Sequence, residues 1–203
     1  SHGPNSDGCD PESSRNVLIE DCYFDNGDDC IAIKSGRNFD GRRIAVPSEN
    51  IVIRNCVMKD GHGGVVIGSE VSGGCRNVFA ENCKMDSPNL DRMLRIKSNT
   101  LRGGFVENIF VRNIEVGTVS NAIFLIELLY EMKPDEQGKF PPVVRNIHVE
   151  NVTSQKSEYA LQLIGIDNPP IEEIYISDCE FNNVEKGNFI QNVKSITLNN
   201  VKV

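Results

Sequence analysis

Asp28 and Asp29 stand side by side after Gly27 and lead into the apolar run Cys30-Ile-Ala-Ile-Lys-Ser35, which puts two acids at the mouth of a strand. Adjacent strand residues point to opposite faces, so both carboxyls reach one cleft only if the backbone bends at Gly27. Like charges held that close push one carboxyl pKa up, which suits a proton donor beside a proton acceptor. A solvated acidic turn is the competing reading. Three further groups have the right chemistry to decide between them: Asn5-Ser-Asp7, Gly61-His-Gly63 and Arg95-Ile-Lys97.

The elements that must position these residues come from a repeat. One phrase recurs along the chain, with a polar residue first, apolar residues second and fourth, and Asn or Asp sixth. It runs from Asn16-Val-Leu-Ile-Glu-Asp-Cys22 through Asn50-Ile-Val-Ile-Arg-Asn-Cys56 and Asn77-Val-Phe-Ala-Glu-Asn-Cys83 to Ser195-Ile-Thr-Leu-Asn-Asn-Val201. The sixth residues are Asp21, Asn55, Asn82, Asn113, Asn151, Asp178 and Asn200, a solenoid period with insertions. Alternation of apolar and polar residues marks a strand with one buried face. A second short apolar strand follows in most repeats, at Cys30–Ser35, Gly64–Ser69, Met93–Ser98, Ala122–Glu127, Ala160–Gly165 and Asn188–Val193. Short strands with Gly, Asn and Asp turns and no clear helix predict an all-β fold, a parallel β-helix of one domain over residues 1–203. The Asn/Asp column becomes a buried amide ladder. Cys22, Cys56, Cys83 and Cys179 share the next column as core filling, with disulfides between neighbouring rungs the alternative. Asn121–Met132 reads as strand then loop in preference to an amphipathic helix, and Lys133–Pro142 as an insertion loop.

Superposing Ser35, Ser69 and Ser98, which close three second strands, puts Asp28 and His62 in one column. Asp29 then lies level with Gly63, Lys34 with Lys97, and Asp7 one rung before Asp29. Asp7, Asp28, Asp29, His62, Arg95 and Lys97 fall on four neighbouring rungs near one edge, where an acidic sugar polymer can be hydrolysed. Taken singly, Asp7 caps a turn, His62 is a turn residue between glycines, Arg95 and Lys97 form an exposed polar strand face, and Lys34, Arg37, Arg42 and Arg43 form a solvated basic loop. Their common register favours a site.

Composition sets the outer limits. With 203 residues, a net charge of −8 and no apolar run approaching the ~18 residues of a membrane span, the chain is of globular type. The negative charge argues against nucleic acid as a partner; a local basic patch must meet any acidic substrate. Seven cysteines without a CxxC and three scattered histidines give no metal-site pattern.

Asn5-Ser-Asp7, Gly27-Asp-Asp29, Gly61-His-Gly63 and Arg95-Ile-Lys97, in that order, resemble the four signatures of the polygalacturonases, the pectin-degrading glycoside hydrolases of family 28. The wider strings around Asp7 and Asp29 look like bacterial, often exo-acting, members. The resemblance implies a right-handed parallel β-helix of the pectin-lyase type that cleaves α-1,4-galacturonosyl bonds with inversion, without metal or other cofactor. It implies Asp28 as general acid, Asp7 and Asp29 as the residues that position and deprotonate water, and His62 as a group that tunes the acid. Arg95, Lys97 and Tyr130 would bind substrate and Asn5 would orient the site; register adds Lys34. The rung spacing of ~4.8 Å is tighter than the ~6.5–9.5 Å usual between inverting carboxyls. Family domains carry several coils before Asn-x-Asp, so the chain is expected to be an N-terminally truncated, C-terminal part, with Asp7 on an exposed edge. The implied partner is a pectic polysaccharide or oligogalacturonate, and the implied location secreted or periplasmic. A polysaccharide lyase and a non-catalytic carbohydrate-binding solenoid are the alternatives.

Overall fold

Alternation in the repeated phrase leaves only one face per strand to bury, and stacking successive copies buries it. The computed structural model describes residues 2–133 and 138–203. Among these, the phrases form β1 (Arg15–Glu20), β4 (Ser48–Arg54), β7 (Cys75–Glu81), β10 (Phe105–Thr118), β12 (Val143–Lys156), β14 (Glu172–Phe181) and β16 (Ile196–Lys202), paired in that order in one parallel sheet. The short strands β2 (Tyr23–Phe24), β5 (Val57–Met58) and β8 (Lys84–Met85) extend it. The second strands form the other sheet: β3 (Ile31–Ile33), β6 (Val65–Gly68), β9 (Arg92–Lys97), β11 (Ala122–Glu127), β13 (Tyr159–Ile164) and β15 (Asn188–Gln191). Each coil contributes to both sheets, which makes a parallel β-helix. Of the expected insertion loop Lys133–Pro142, Lys133 and residues 138–142 belong to no strand, and residues 134–137 lie outside the described residues.

The core is built column by column. Ile51, Val78, Ile109, Ile147 and Ile174 face one another rung to rung and are fully buried. Opposite them runs the column Ile31, Val65, Leu94, Phe124, Leu161. Truncating one such isoleucine to alanine removes its burial and leaves a cavity, about 2–5 kcal/mol. Cys56, Cys83 and Cys179 are buried in the same core and all seven cysteines are free thiols, so they fill space as expected and no rung is crosslinked.

Two expectations need correction. The amide ladder exists, but on the solvent side: Asn113 donates to Asn82 at 3.2 Å and Asn151 to Asn113 at 2.9 Å, and all three are exposed. A second ladder runs through the first residues of five of the seven phrases, Asn146→Asn108→Asn77→Asn50→Asn16, at 2.7–3.1 Å. Both columns adopt left-handed φ, for example +57° at Asn77 and +56° at Asn82. Asparagine tolerates that conformation better than other side chains, so corner geometry selects the residue and the ladder follows from it. There is also a helix, α1 (Asn38–Ile44), where a basic loop was expected. Gly41 is where the helix presses on the chain: a Cβ there would lie 2.6 Å from the Gly36 carbonyl carbon. Arg42 is no solvated loop residue. It donates to the carbonyls of Leu101 (2.6 Å) and Arg102 (3.1 Å) and stacks over Phe140.

Candidate active site

The register of the second sheet decides where the polar residues meet. Ile31 pairs with Val65 and Val65 with Leu94, which brings Asp28 level with His62 and sets Lys34, Gly68 and Lys97 in one row. The N-terminal segment adds another rung through Cys9↔Ile31 and Glu12↔Lys34, so Asp7 stands beside Asp29. Backbone bonds from Gly8 N to Asp29 O (3.0 Å) and from Ala32 N to Cys9 O (2.9 Å) hold that rung in place. Asp7 stands on the first rung, where an edge was expected, and is tied there to Lys34 at 3.2 Å with its side chain largely buried.

The backbone bends at Gly27–Asp28, as the adjacent acids require. Asn26 holds the bend: its buried amide donates to the carbonyls of Asp28 (2.7 Å) and Asp29 (3.1 Å). The two acids then meet different surroundings. Asp29 is 1% exposed and accepts from Lys97 Nζ at 2.7 Å through Oδ2 and from Arg95 Nη1 at 3.4 Å through Oδ1. Asp28 is half-buried; its Oδ1 lies 3.1 Å from His62 Nδ1 and accepts the Asp29 backbone N–H at 2.9 Å. Gly61 permits that approach, since a Cβ there would lie 2.5 Å from the Asp28 carbonyl oxygen and its φ is +151°.

Asn5, Asp7, Asp28, Asp29, Lys34, His62, Arg95, Lys97 and Tyr130 all line one cleft of about 810 Å³, toward the upper end of the volumes that hold drug-sized ligands. Arg95 and Lys97 are only 7% and 8% exposed, so the exposed polar strand face is excluded. The Tyr130 ring packs 5.4 Å from the Arg95 guanidinium and 5.3 Å from Lys97 Nζ; burial and the neighbouring Glu131 push its hydroxyl pKa up. Lys34 is committed to Asp7 and, at 2.5 Å, to Asp10. Burial works against its charge, but those hydrogen bonds outweigh it and raise its pKa above the ordinary lysine value.

The motifs did not mark Asn26, Asp10, Asp91, Arg92 or Arg102, all but Asn26 on the cleft wall. Extending the Asp28–His62 column one rung further lands on Asp91, with Arg92 next to it, so register alone could have found that pair. Arg92 donates to Asp91 at 3.2 Å; burial and the nearby Arg95 lower its pKa. Arg102 lies in the turn beyond β9, where register carries no information.

Donor atoms of Asp28, Asp29 and His62 come within 4.8 Å of one another, as do those of His2, Asp25 and Asp60. In the first group both Asp29 oxygens already accept from Lys97 and Arg95, so the carboxylate that a cation would need is taken.

Residues 1–201 match the family described as glycosyl hydrolases family 28. A probable polygalacturonase of Vitis vinifera is 35% identical over 178 residues, covering 86% of this chain and 36% of its own length. An exo-poly-alpha-D-galacturonosidase of Dickeya chrysanthemi is 30% identical over 188 residues, covering 89% and 30%. The crystal structure of a hyperthermoactive exopolygalacturonase from Thermotoga maritima superposes with a TM-score of 0.94 at 42% identity, covering 99% of this chain and 44% of that one. The chain thus spans about a third of the length of the curated relatives it matches. With its four ordered motifs gathered in one cleft of a parallel β-helix, the chain belongs to glycosyl hydrolase family 28.

Proposed function

We propose that the cleft hydrolyses α-1,4-galacturonosyl bonds of polygalacturonate by inverting general acid/base catalysis. The observation that carries this reading is the different bonding of the three carboxyls. Asp7 and Asp29 are ion-paired with Lys34 and with Lys97 and Arg95, whereas among the described residues Asp28 has no lysine or arginine partner and meets the His62 ring and the Asp29 backbone N–H. Two carboxyls in one site with different environments divide into acid and base. Asp28 protonates the glycosidic oxygen as the bond to the anomeric carbon breaks. Water attacks that carbon from the opposite face and gives its proton to Asp7 or Asp29. Oxygens of Asp28 and Asp29 within 4.8 Å are close for a pair with water between them, which favours Asp7, on the outer rung, as the proton acceptor.

His62, 53% exposed on its side chain, reaches both Asp28 and the substrate side of the cleft. Arg95 and Lys97 supply charge for a uronate carboxylate, with Tyr130 beside them as a platform for the sugar face; guanidinium forks suit carboxylates. Lys34 aligns Asp7, and Asn5 borders it. A pectic polymer lies outside the cell that consumes it, which places the protein in a secreted or periplasmic setting; among the described residues no helix is long and apolar enough to cross a membrane. A lyase needs an uncommitted base beside the bond it breaks; Lys34, Arg37, Arg92, Arg95 and Lys97 all face carboxylates, and Arg102, the cleft cation that does not, lies beyond the end of β9, at the far end of the cleft from Asp28.

Incubation with polygalacturonate tests the reading. Hydrolysis releases reducing ends with no ultraviolet-absorbing unsaturated uronate. Unsaturated, calcium-dependent products would make the protein a lyase, and binding of oligogalacturonate without turnover at high protein concentration would make it a binding module.

A further inference from the structure

Of the lysines and arginines that line the cleft, Arg102 is the one with no carboxylate partner among the described residues. Its neighbours are all engaged: Lys34 with Asp7 and Asp10, Arg37 with Glu70, Arg92 with Asp91, Arg95 and Lys97 with Asp29. Arg102 is 3% exposed, donates from Nη1 to Asn38 Oδ1 at 2.7 Å, and leaves Nε without an acceptor. Glu70 and Glu131 act on it only from beyond ion-pair distance, and burial together with the nearby Arg37 lowers its pKa. A buried guanidinium without a counter-ion is costly. Its position is also fixed from both sides. α1 supplies Asn38, and the Asn99 side chain accepts the Arg102 backbone N–H at 3.2 Å while donating to the Tyr130 carbonyl at 2.9 Å.

The placement is directional. Asp28, His62 and Arg92 lie where β3, β6 and β9 begin; Arg37, Glu70 and Arg102 lie beyond where those strands end. Arg95, Lys97 and Tyr130 stand between. We propose that Arg102 forms a second carboxylate-binding subsite, which holds the uronate next to the one at Arg95 and Lys97 and selects against chains esterified there. Resting on the proposed uronate-binding function of the cleft, it adds a residue and a preference that the four motifs do not carry. The carboxylate of the second sugar completes the charge pairing that the described residues leave open at this position.

A cycle of one substitution and one esterification tests it. Calorimetric affinities are measured in an Asp28→Asn background, which removes the proposed acid and so keeps the ligand intact, with Arg102 unsubstituted and as Arg102→Gln, for trigalacturonate and for its methyl ester, with unfolding curves to confirm folding. Esterification weakens binding with Arg102 in place; in Arg102→Gln that penalty shrinks by about tenfold or more, the range expected when one partner of a buried charge pair is removed. An unchanged penalty in a folded variant overturns the subsite and spares the cleft. No affinity for trigalacturonate with Arg102 in place overturns the uronate reading and the subsite with it. If Arg102→Gln does not fold, a crystal soaked with trigalacturonate decides: a sugar carboxylate about 3 Å from the guanidinium supports the proposal, and a bound sugar with its carboxylates elsewhere refutes it.

Discussion

Replacing Lys97 by methionine leaves Asp29 a buried carboxylate with only Arg95, at 3.4 Å, to balance it. Methionine keeps most of the lysine stem, so packing changes little and the lost ammonium dominates. Breaking a buried ion pair from one side costs about 3–5 kcal/mol, because desolvation of the remaining charge is no longer offset. Arg95 places the expected value near the low end, about 3 kcal/mol. For a chain of this length each kcal/mol moves the melting temperature by about 2–4 °C, so Lys97→Met lowers it by about 6–12 °C. Adding Asp29→Asn removes the orphaned charge and recovers most of the loss, a coupling of at least about 1.5 kcal/mol between the two sites. Urea unfolding of the two single variants and the double variant measures all three values. Additive losses, or a Lys97→Met cost under about 1 kcal/mol, would mean that the pair is held by something other than its charges.

The other expectations concern corners, charge and thiols. Asn77→Ala keeps a Cβ in left-handed backbone and loses two ladder bonds, whereas Asn77→Gly loses only the bonds; urea midpoints should put alanine about 1–2 kcal/mol below glycine. Glu49 is hydrogen-bonded by Arg76 and Arg15, which hold its carboxyl below the ordinary 4.5. Because the folded-state pKa is the depressed one, its stabilisation is present above that value and is lost as pH falls through the lower folded pKa. Glu49→Gln should therefore flatten the acid limb of the stability profile and leave its slope near neutrality unchanged. Burial pushes the Cys30 thiol up to about 12; mass spectrometry after mild alkylation near pH 8 should find Cys22 modified while Cys30 stays unmodified until denaturant is added.

The fold was legible because its signal is repetitive. A period-2 phrase copied seven times can bury its apolar face only against other copies, and the serines at positions 35, 69 and 98 set a register that the strand pairing reproduces, Asp28 level with His62 and Lys34 with Lys97. That register assembled the cleft from four short motifs. Side-chain reach was not legible. Nothing in the spacing says that Lys97 and Arg95 bend onto Asp29, that Lys34 turns to Asp7 and Asp10, or that Asn26 clamps the bend between the acids. The outward ladder was missed because left-handed corners, which have no hydrophobic period, choose asparagine. Helix α1 was missed because Gly41 interrupts any helical pattern and because its packing partner, Gly36, has no side chain to announce it.

The central claim is that Asp28 delivers the proton to the departing sugar. Steady-state release of reducing ends from polygalacturonate by the protein and by Asp28→Asn, with unfolding curves for both, measures it most directly. Loss of an acid catalyst predicts a fall in kcat of about 10²–10⁴-fold with a melting temperature close to that of the parent. A folded Asp28→Asn that turns over within a few-fold of the parent would contradict the account.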